Sequence, residues 1–288
     1  MALYFNPLPG DSLEVNGDGI QYDTNPFANL HSVNMQNVDL DKLERITLYK
    51  YYKDISTLEY VLKGHKLFIN KVSSWDDKYE NFLLKSKFNI DNKIGDIQDL
   101  CNGIFGQSWT TSNETDALWR IYSKDRYGIR IKTNARKLFD ALYVDDVCMA
   151  NVWLGKVKYG YMSSFVKYFS RKFAEDSNLM STINEIIAES EFMKRKEFEH
   201  EEEFRIIFML DTKQANQYSN FKRLAFNINP DDFIEEYCLD PRLKQYECNL
   251  FRLTLADLGV NSYKITRSTL YDFAPPTFNL NKSFGASS

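Results

Sequence analysis

The stretch from Lys196 to Leu210 reads K-E-F-E-H-E-E-E-F-R-I-I-F-M-L, a block of acidic residues that gives way to a bulky apolar run. An apolar run of this length, bounded by polar residues, favours a buried strand over a helix. In an extended chain successive side chains alternate between two faces, so Glu201, Glu203 and Arg205 would share one face. The pattern therefore predicts two carboxylates side by side where a strand enters the core.

Two interpretations of this acidic pair are open from the residues alone. Neighbouring like charges repel and raise each other's pKa, so the pair needs cations, solvent or a function to compensate it. On one interpretation the two carboxylates face a ligand. On the other they form an acidic strand end in water, with Arg205 as an ion-pair partner, because most runs of charge are solvated.

The composition fits a globular protein with a sizeable core, since 43% of the 288 residues are hydrophobic. That length suits one large domain or two small ones. The formal charge of -4 disfavours a protein that coats nucleic acid without specificity, although a local basic surface can still steer a ligand. The 18 Tyr, 21 Phe and 4 Trp fill cores and also build stacking platforms for bases or nicotinamide rings.

Several classes of site and location are disfavoured by what the sequence lacks. The four cysteines lie far apart without a C-x-x-C pair, which suggests neither zinc nor disulfides and predicts a reducing, cytoplasmic location. With three isolated histidines, no metal site is expected. Membrane insertion, secretion, a P-loop, a Rossmann glycine pattern and a G-x-S-x-G nucleophile all lack their signals. The residues concerned are Cys101, Cys148, Cys238, Cys248, His31, His65 and His200.

Patterning predicts three regions in the chain. Residues 1–40 are rich in Gly, Asn and Asp and form an irregular N-terminal arm, 41–273 form a single mixed α/β domain, and 274–288 form a C-terminal tail. Within the domain, Ser73 to Glu80, S-S-W-D-D-K-Y-E, is predicted as a polar turn that opens a helix. Strands are expected at Ile46–Tyr52, Leu67–Val72, Gln107–Ser112, Tyr127–Thr133, Val152–Tyr159 and Phe221–Ile228.

One stretch stands out as basic in this acidic chain. From Val152 to Ala174 there is no acidic residue, and Lys167, Arg171 and Lys172 interleave with tyrosines and phenylalanines. One interpretation is a nucleic-acid contact that pairs phosphate neutralisation with base stacking. The other is an ordinary strand and helix whose aromatic residues face the core.

Five segments in order resemble the domain of unknown function 2971 family, from about Ile46 to Thr269. None of them is specific alone, but five in the same order are hard to obtain by chance. They are L-Y-K-Y at Leu48 to Tyr51, S-W-D-D-K-Y-E ending at Glu80, S-W-T-T through Y-G-I-R-I at Ser108 to Ile131, E-E-E-F-R at Glu201 to Arg205, and L-D-P-R at Leu239 to Arg242.

The same order resembles, more remotely, the ADP-ribosyltransferase superfamily, including DarT-like toxins that modify nucleic acid. This resemblance implies a mixed α/β (α+β) fold with a split, mostly antiparallel sheet and flanking helices, and NAD as the substrate. It makes Glu203 the catalytic carboxylate and Glu201 its partner. Lys50 stands where that superfamily usually has His or Arg. The cofactor-binding residues that the resemblance implies, together with residues expected near them, are Lys50, Tyr51, Ser108, Thr110, Trp119 and Tyr122.

The chemistry of NAD cleavage suits these residue types. Breaking the nicotinamide glycosidic bond generates an oxocarbenium-like ribose, which a carboxylate beside the ribose stabilises. Tyr51 or Tyr122 can stack on nicotinamide, Lys50 can hold the diphosphate, and the second carboxylate can orient or deprotonate the acceptor. On the other interpretation Lys50 is a surface cation, while Trp119 and Tyr122, at helical spacing with Leu118, belong to the core.

The resemblance implies an NAD-dependent mono-ADP-ribosyltransferase that acts in the cytoplasm as a toxin or phage-defence effector. The acceptor is expected to be nucleic acid, RNA or single-stranded DNA, rather than protein. A neutralising antitoxin protein is an expected partner, and the N-terminal arm would be its docking element. The alternatives are a non-catalytic RNA- or protein-binding module of the same fold, or an NAD hydrolase or nuclease.

Overall fold

The computed structural model describes residues 12–15, 33–90, 93–97, 102–142, 150–176, 178–210 and 221–279. The rest of the predicted N-terminal arm and residues 280–288 of the predicted tail lie outside the described residues. So do Cys101, Cys148 and His31.

Strands dominate the described chain, and helices flank them. The strands are β1 Ser12–Val15, β2 Val33–Gln36, β3 Thr47–Tyr52, β4 Lys66–Lys71, β5 Lys87–Ile90, β6 Lys93–Asp96, β7 Ile104–Thr110, β8 Ile129–Asn134, β9 Ala150–Lys156, β10 Lys158–Gly160, β11 Met193–Arg195, β12 Glu203–Leu210, β13 Arg223–Asn227, β14 Glu236–Leu239 and β15 Ile265–Arg267. The α-helices are α1 Ile55–Gly64, α2 Asp116–Tyr122, α3 Ala135–Leu142, α4 Met162–Glu175, α5 Leu179–Glu191, α6 Pro230–Phe233 and α7 Gln245–Asp257. Short 3-10 helices span Leu40–Arg45, Val72–Ser74, Lys196–Glu201 and Ser262–Lys264. None of the helices described is both long enough and apolar enough to cross a membrane.

An 11-stranded mixed sheet organises the described residues. Its main path runs β1-β13-β4-β7-β3-β8-β14-β15, while β12, β9 and β2 extend from the other edge of β7. The pairs of β12 with β7 and with β9 are antiparallel, as are most of the others. Parallel pairing occurs where β1, β2 and β15 join the sheet. The predicted mixed α/β class with a mostly antiparallel sheet is thus confirmed.

The sheet splits along one edge of β7. There β4 pairs with β7 at Phe105 and Gly106, and β3 pairs with it at Thr110. Between those points the strands diverge, and side chains satisfy backbone groups that would otherwise lack partners. The Ser108 carbonyl accepts a hydrogen bond from Lys50 Nζ at 3.0 Å, and Gln107 Nε2 donates to a β4 carbonyl at 2.7 Å. A cleft therefore opens beside the middle of β7.

Strand β12 is buried on both faces, which explains its continuous apolar run. Phe204, Ile206 and Phe208 belong to a hydrophobic core under one face. Ile207 and Met209 belong to a second core that includes residues of α4 and α5. By the alternation of a strand, Glu203 and Arg205 lie on the face of Ile207 and Met209.

Part of the predicted irregular arm is regular. Strand β1 pairs with β13, and β2 pairs with β9. At Gly155 the two backbones of the second pair come so close that an added Cβ would lie 1.8 Å from the Gln36 carbonyl oxygen. Ser12–Val15 and Val33–Gln36 of the arm are thus strands of the chain's own sheet, which differs from the expectation of an irregular segment. The boundaries 1–40, 41–273 and 274–288 stay predictions.

Candidate active site

The cleft at the split has a volume of about 680 Å³, within the usual range for small-molecule sites. Strand β3 and the middle of β7 form one side. The start of β12, Lys194 of β11, α2 and the polar turn after β4 form the others. Among the predicted site residues, Lys50, Tyr51, Ser108, Thr110, Tyr122, Glu201 and Glu203 line this cleft.

The acidic pair meets in the cleft, but the backbone route differs from the prediction. Residues Lys196–Glu201 form a 3-10 helix, and Glu202 adopts the left-handed conformation with φ 43°. The strand therefore begins at Glu203, and the expectation of an extended chain from Glu201 is wrong. The tight reversal instead turns the Glu201 side chain back, so that Lys194 Nζ donates to both carboxylates at 2.7 Å.

Both carboxylates are buried. Glu201 is 6% exposed and Glu203 is 5% exposed. The interpretation of an acidic strand end in water is therefore wrong, although Arg205 is an ion-pair partner as that interpretation held. Arg205 Nε donates to Glu203 Oε2 at 2.8 Å from a side chain that is itself buried.

Two buried cations hold three carboxylates together. Arg205 also forms an ion pair through Nη2 with Glu80, and its guanidinium lies 4.4 Å from the centroid of the Trp75 ring. Lys194 Nζ lies 3.4 Å from the same Glu80 carboxylate. Buried charges are tolerated when they are paired and hydrogen-bonded in this way.

The pKa values of the two acids are shifted in opposite directions. Burial works to raise the pKa of Glu203, but the charges of Arg205 and Lys194 outweigh it and hold that pKa well below its usual range. Burial, and then the charge of Glu203, raises the pKa of Glu201. Environments that push two carboxyl pKa values apart are how acid and base roles are divided in active sites. The opposite shifts favour Glu203 as the ionised carboxylate of the pair and Glu201 as the one that takes up a proton more readily.

Tyrosine hydroxyls complete the hydrogen bonding of the pair. Tyr122 donates to Glu201 Oε1 at 3.1 Å, and the backbone N–H of Glu203 donates to the Tyr159 hydroxyl at 2.8 Å. Burial, followed by the charges of Glu201 and Glu203, raises the pKa of Tyr122. Burial and the Glu203 charge do the same for Tyr159. Both phenols stay protonated and act as donors or neutral acceptors.

An aromatic wall stands beside the acids. The Tyr51 and Tyr122 rings stack with centroids 5.8 Å apart at 22°, and Tyr122 is 40% exposed. Trp119 is fully buried behind Tyr51, edge-on at 4.9 Å, and its indole N–H donates to Glu114 at 2.9 Å. Trp119 thus supports the Tyr51 ring from the core, which differs from the direct cofactor contact predicted for it.

Lys50, the neighbour of Tyr51 on β3, also lines the cleft. Beyond its bond to the Ser108 carbonyl, its ammonium lies 5.5 Å from the Trp109 ring centroid. Burial, partly offset by the charge of Glu203, lowers the pKa of Lys50 to about 8. It is therefore a half-buried cation that is mostly protonated at neutral pH, and not the surface cation of the other interpretation.

Ser108 and Thr110 share the face of the acids. In the antiparallel register Ser108 lies opposite Arg205 and Thr110 lies opposite Glu203. Directly opposed residues of an antiparallel pair point to the same side of the sheet. The Thr110 hydroxyl accepts a hydrogen bond from the Ser112 N–H at 3.0 Å.

The basic stretch is divided between surface and core. On α4, Lys167 and Arg171 are exposed, whereas Phe165 and Phe169 are buried in the second core. Lys172 forms an ion pair with a glutamate of α5, Glu189, so its charge is compensated. The core interpretation is therefore confirmed for Phe165 and Phe169, whereas a nucleic-acid contact at Lys167 and Arg171 stays a prediction.

Several residues of the site were missed by sequence reasoning. Glu80 and Trp75 belong to the S-W-D-D-K-Y-E segment, which carried a resemblance but no assigned role. Lys194 and Tyr159 had no signal, because an isolated lysine or tyrosine in a sequence says nothing of its spatial partners. In the part of the chain that the structure describes, no group of three or more His, Cys, Asp or Glu side chains is arranged to hold a metal ion.

A family model described as "Protein of unknown function (DUF2971)" matches residues 118–206. The predicted resemblance is thus confirmed over this part of the chain, which is less than half of it. No curated protein matches the chain. Among solved structures, it is similar to "Thermus sp. 2.9 DarT in complex with NAD+", with 11% identity, a TM-score of 0.36, and coverage of 78% of this chain and 96% of that one. Because identity and score are this low, a functional conclusion has to come from the site itself.

Proposed function

We propose that this chain is an NAD-dependent mono-ADP-ribosyltransferase. The observation that carries the proposal is the buried pair of Glu201 and Glu203 at the edge of a cleft of about 680 Å³. Lys194 joins the two carboxylates, and Arg205 pairs with Glu203. Such a pair is suited to a reaction that develops positive charge on a ribose.

The residues present fit NAD as a substrate. The Lys50 ammonium would hold the diphosphate, and the exposed face of Tyr122, backed by Tyr51, would stack on nicotinamide. Ser108 and Thr110 offer hydroxyls on the acidic face. Glu203, which stays ionised, would face the ribose.

In the proposed reaction, the bond between C1′ of the ribose and the nicotinamide nitrogen breaks, and nicotinamide leaves with the bonding electron pair. Glu203 stabilises the oxocarbenium charge that develops. A nucleophilic atom of the acceptor forms the new bond at C1′, and its proton passes to the ionised form of Glu201. Tyr122, by donating to Glu201, orients that carboxylate.

The proposed acceptor is nucleic acid, RNA or single-stranded DNA, rather than protein. Its support is the exposed part of the basic stretch, Lys167 and Arg171, with Tyr168 and Tyr161 also exposed. Activity as a cytoplasmic toxin or phage-defence effector, restrained by an antitoxin protein, belongs to the same proposal.

The test is incubation with NAD labelled in its ADP-ribose part, together with cell extract and purified RNA. Wild type should transfer label to macromolecules, and Glu203→Gln should not. Glu202→Gln is the matched control, because it removes the same charge from the adjacent exposed residue. Free labelled ADP-ribose would indicate an NAD hydrolase, and RNA cleavage without NAD consumption would indicate a nuclease.

A second candidate is a non-catalytic binding module of the same fold. The observation that favours it is that both Glu203 oxygens already accept hydrogen bonds, Oε1 from Lys194 and Oε2 from Arg205. Intact NAD after incubation with wild type would support this candidate and contradict the transferase.

A further inference from the structure

The L-D-P-R segment at the end of β14, Leu239 to Arg242, has no part in the proposed reaction. Its aspartate, Asp240, is fully buried, and the Arg242 side chain is 15% exposed. Asp240 Oδ1 accepts hydrogen bonds from the Arg242 backbone N–H at 2.8 Å and from Nε at 2.9 Å, and Oδ2 accepts from Nη2 at 2.5 Å. Because a carboxylate and a guanidinium that bond at two points have one preferred geometry, the guanidinium is held in a fixed place.

The guanidinium of Arg242 reaches the C-terminal end of α2. Its Nη2 also donates to the backbone carbonyls of Trp119 at 3.1 Å and Ser123 at 2.6 Å. These carbonyls belong to the last turn of α2 and to the residue that follows it, where a helix leaves carbonyl groups without partners of its own. A cation at this end of a helix is also favoured by the helix dipole. Arg242 therefore fastens the end of α2 to the turn after β14.

The loop from α2 to β8 is tied to the same carboxylate. Ser123 is fully buried, donates through Oγ to Asp240 Oδ2 at 2.5 Å, and accepts from the Gly128 N–H at 2.9 Å. A side chain at Gly128 would have no room, because an added Cβ would lie 2.5 Å from Ser123 Cβ. Both ends of this loop thus meet beside Asp240.

Helix α2 matters to the site because its last residue is Tyr122. With seven residues it is too short to be stable alone, so it depends on contacts outside itself. The Tyr122 hydroxyl donates to Glu201 Oε1 at 3.1 Å, and its ring stacks on Tyr51. A hydrogen bond weakens steeply when its distance and angle change. A displacement of the last turn would therefore be passed directly to the bond between Tyr122 and Glu201.

The N-terminal end of α2 is held by separate contacts. The Thr115 hydroxyl accepts from the Leu118 N–H at 3.1 Å, and Glu114 accepts from the Trp119 indole at 2.9 Å. Trp119 and Leu118 are fully buried. Without Arg242 the helix should therefore stay in place, while its last turn becomes free to move.

We propose that the Asp240–Arg242 pair is a positioning element of the candidate active site, which sets the Tyr122 hydroxyl against Glu201 by holding the last turn of α2. Neither Asp240 nor Arg242 is among the residues that line the cleft, so the pair acts through Tyr122. Its value to catalysis rests on the proposed function, whereas its effect on the position of Tyr122 does not.

The test is a double-mutant cycle between Arg242→Met and Tyr122→Phe, followed by a carbon-13 NMR titration of the Glu201–Glu203 carboxyls. A hydrogen bond donated to an ionised carboxylate favours that form, so the loss of the bond raises the pKa of the carboxyl. Each single change should raise the upper titration step of the pair by about one pH unit, the size expected for one hydrogen bond to a charged group. The double variant should titrate like Tyr122→Phe, because the hydroxyl to be positioned is then absent.

Two other causes of a shift are separated by this design. A direct effect of the Arg242 charge would shift the titration equally with and without the Tyr122 hydroxyl, so additive shifts would overturn the proposal. Unchanged titration in folded Arg242→Met would also overturn it. Arg252→Met is the control for lost stability alone, because Arg252 on α7 likewise donates to a backbone carbonyl, at 2.7 Å, and is not among the cleft residues. It should titrate like wild type, and an equal shift there would contradict the assignment.

A second variant keeps the proposal testable if Arg242→Met does not fold, since that change leaves Asp240 as a buried charge without its partner. Asp240→Asn combined with Arg242→Met removes both charges and keeps an oxygen acceptor for Ser123. This variant should show the same upward shift, and a wild-type titration in it would overturn the proposal. None of these measurements uses NAD, so a failure of the proposed transferase activity would leave the role of the pair separately decided.

Discussion

Lys194 is the point at which the three buried carboxylates meet, so its removal is the most informative perturbation. Its ammonium donates to Glu201 and Glu203 at 2.7 Å and lies 3.4 Å from Glu80, and its side chain is 9% exposed. In Lys194→Met, three carboxylates would face only Arg205. Removing one partner of a buried ion pair costs about 3–5 kcal/mol, because an uncompensated charge is left behind. We expect Lys194→Met to unfold more easily by that amount at pH 7, which corresponds to a melting temperature lower on the order of 10 °C.

The pH dependence of this loss follows from the directions of the pKa shifts. The folded pKa of Lys194 is raised, despite its burial, by Glu203 and Glu80, so its stabilisation is present below the unfolded value and is lost as pH rises through the folded pKa. The pKa of Glu203 is lowered, so its stabilisation is present above the unfolded value and is lost as pH falls through the folded pKa. The difference between wild type and variant should therefore be largest between about pH 5 and 10 and narrow below about pH 4.

Urea unfolding at several pH values, followed by tryptophan fluorescence, measures this difference. Lys196→Met is the matched control, because Lys196 is two residues further along and exposed, and its loss should change stability by less than about 0.5 kcal/mol. A Lys194→Met protein as stable as the control at pH 7, or equally destabilised at pH 3, would refute the account of the cluster.

Three further predictions concern the cleft wall, the sheet and the surface. Affinity for ADP-ribose should fall as pH rises through about 8, where Lys50 loses its proton. Lys50→Met should bind ADP-ribose weakly and without that pH dependence, which calorimetry across this pH range would measure. Gly155→Ala should separate β2 from β9, because its Cβ would collide with the Gln36 carbonyl. The variant should lose about 1–3 kcal/mol of folding stability and show faster hydrogen exchange at Val33–Gln36. Unchanged exchange there would contradict the pairing. Charge reversal of Lys167 and Arg171 to Glu should weaken RNA binding and lower its salt dependence. Lys172→Glu should have less effect on both, because Lys172 is already paired with Glu189. Equal effects of the two changes would contradict the distinction between exposed and paired cations.

The strand that follows the acidic block could be predicted because its signal is local. An apolar run as short as Phe204 to Leu210 favours a strand that is buried on both faces of a sheet. The turn before it could not be predicted, since E-x-E fits an extended chain equally well, and the left-handed backbone at Glu202 has no signature in a residue that seldom adopts it. The sequence predicts that the two acids lie close together, but through an extended backbone at Glu201 and Glu202 that the structure does not have.

The other features of the site could not be predicted because they depend on contacts between residues far apart in the sequence. Glu80 reaches Arg205 across 125 positions, and a pattern of local propensities carries no information on such a pair. The polar turn at Ser73 to Glu80 opens no α-helix, because its polar side chains hold other strands and Asn81 turns the backbone away from helical geometry. The helical spacing of Trp119 with Leu118 fits the core as well as a ligand contact, and the structure buries Trp119 in the core.

The most direct test of the central claim, that the buried Glu203 carboxylate drives cleavage of the bond to nicotinamide, is the rate at which purified protein releases nicotinamide from NAD in the presence of RNA. We predict release by wild type and by Glu202→Gln at similar rates, and release by Glu203→Gln that is at least about 100-fold slower, because charge stabilisation in the transition state is lost. Equal release by Glu203→Gln and wild type, or no release by wild type, would contradict the claim.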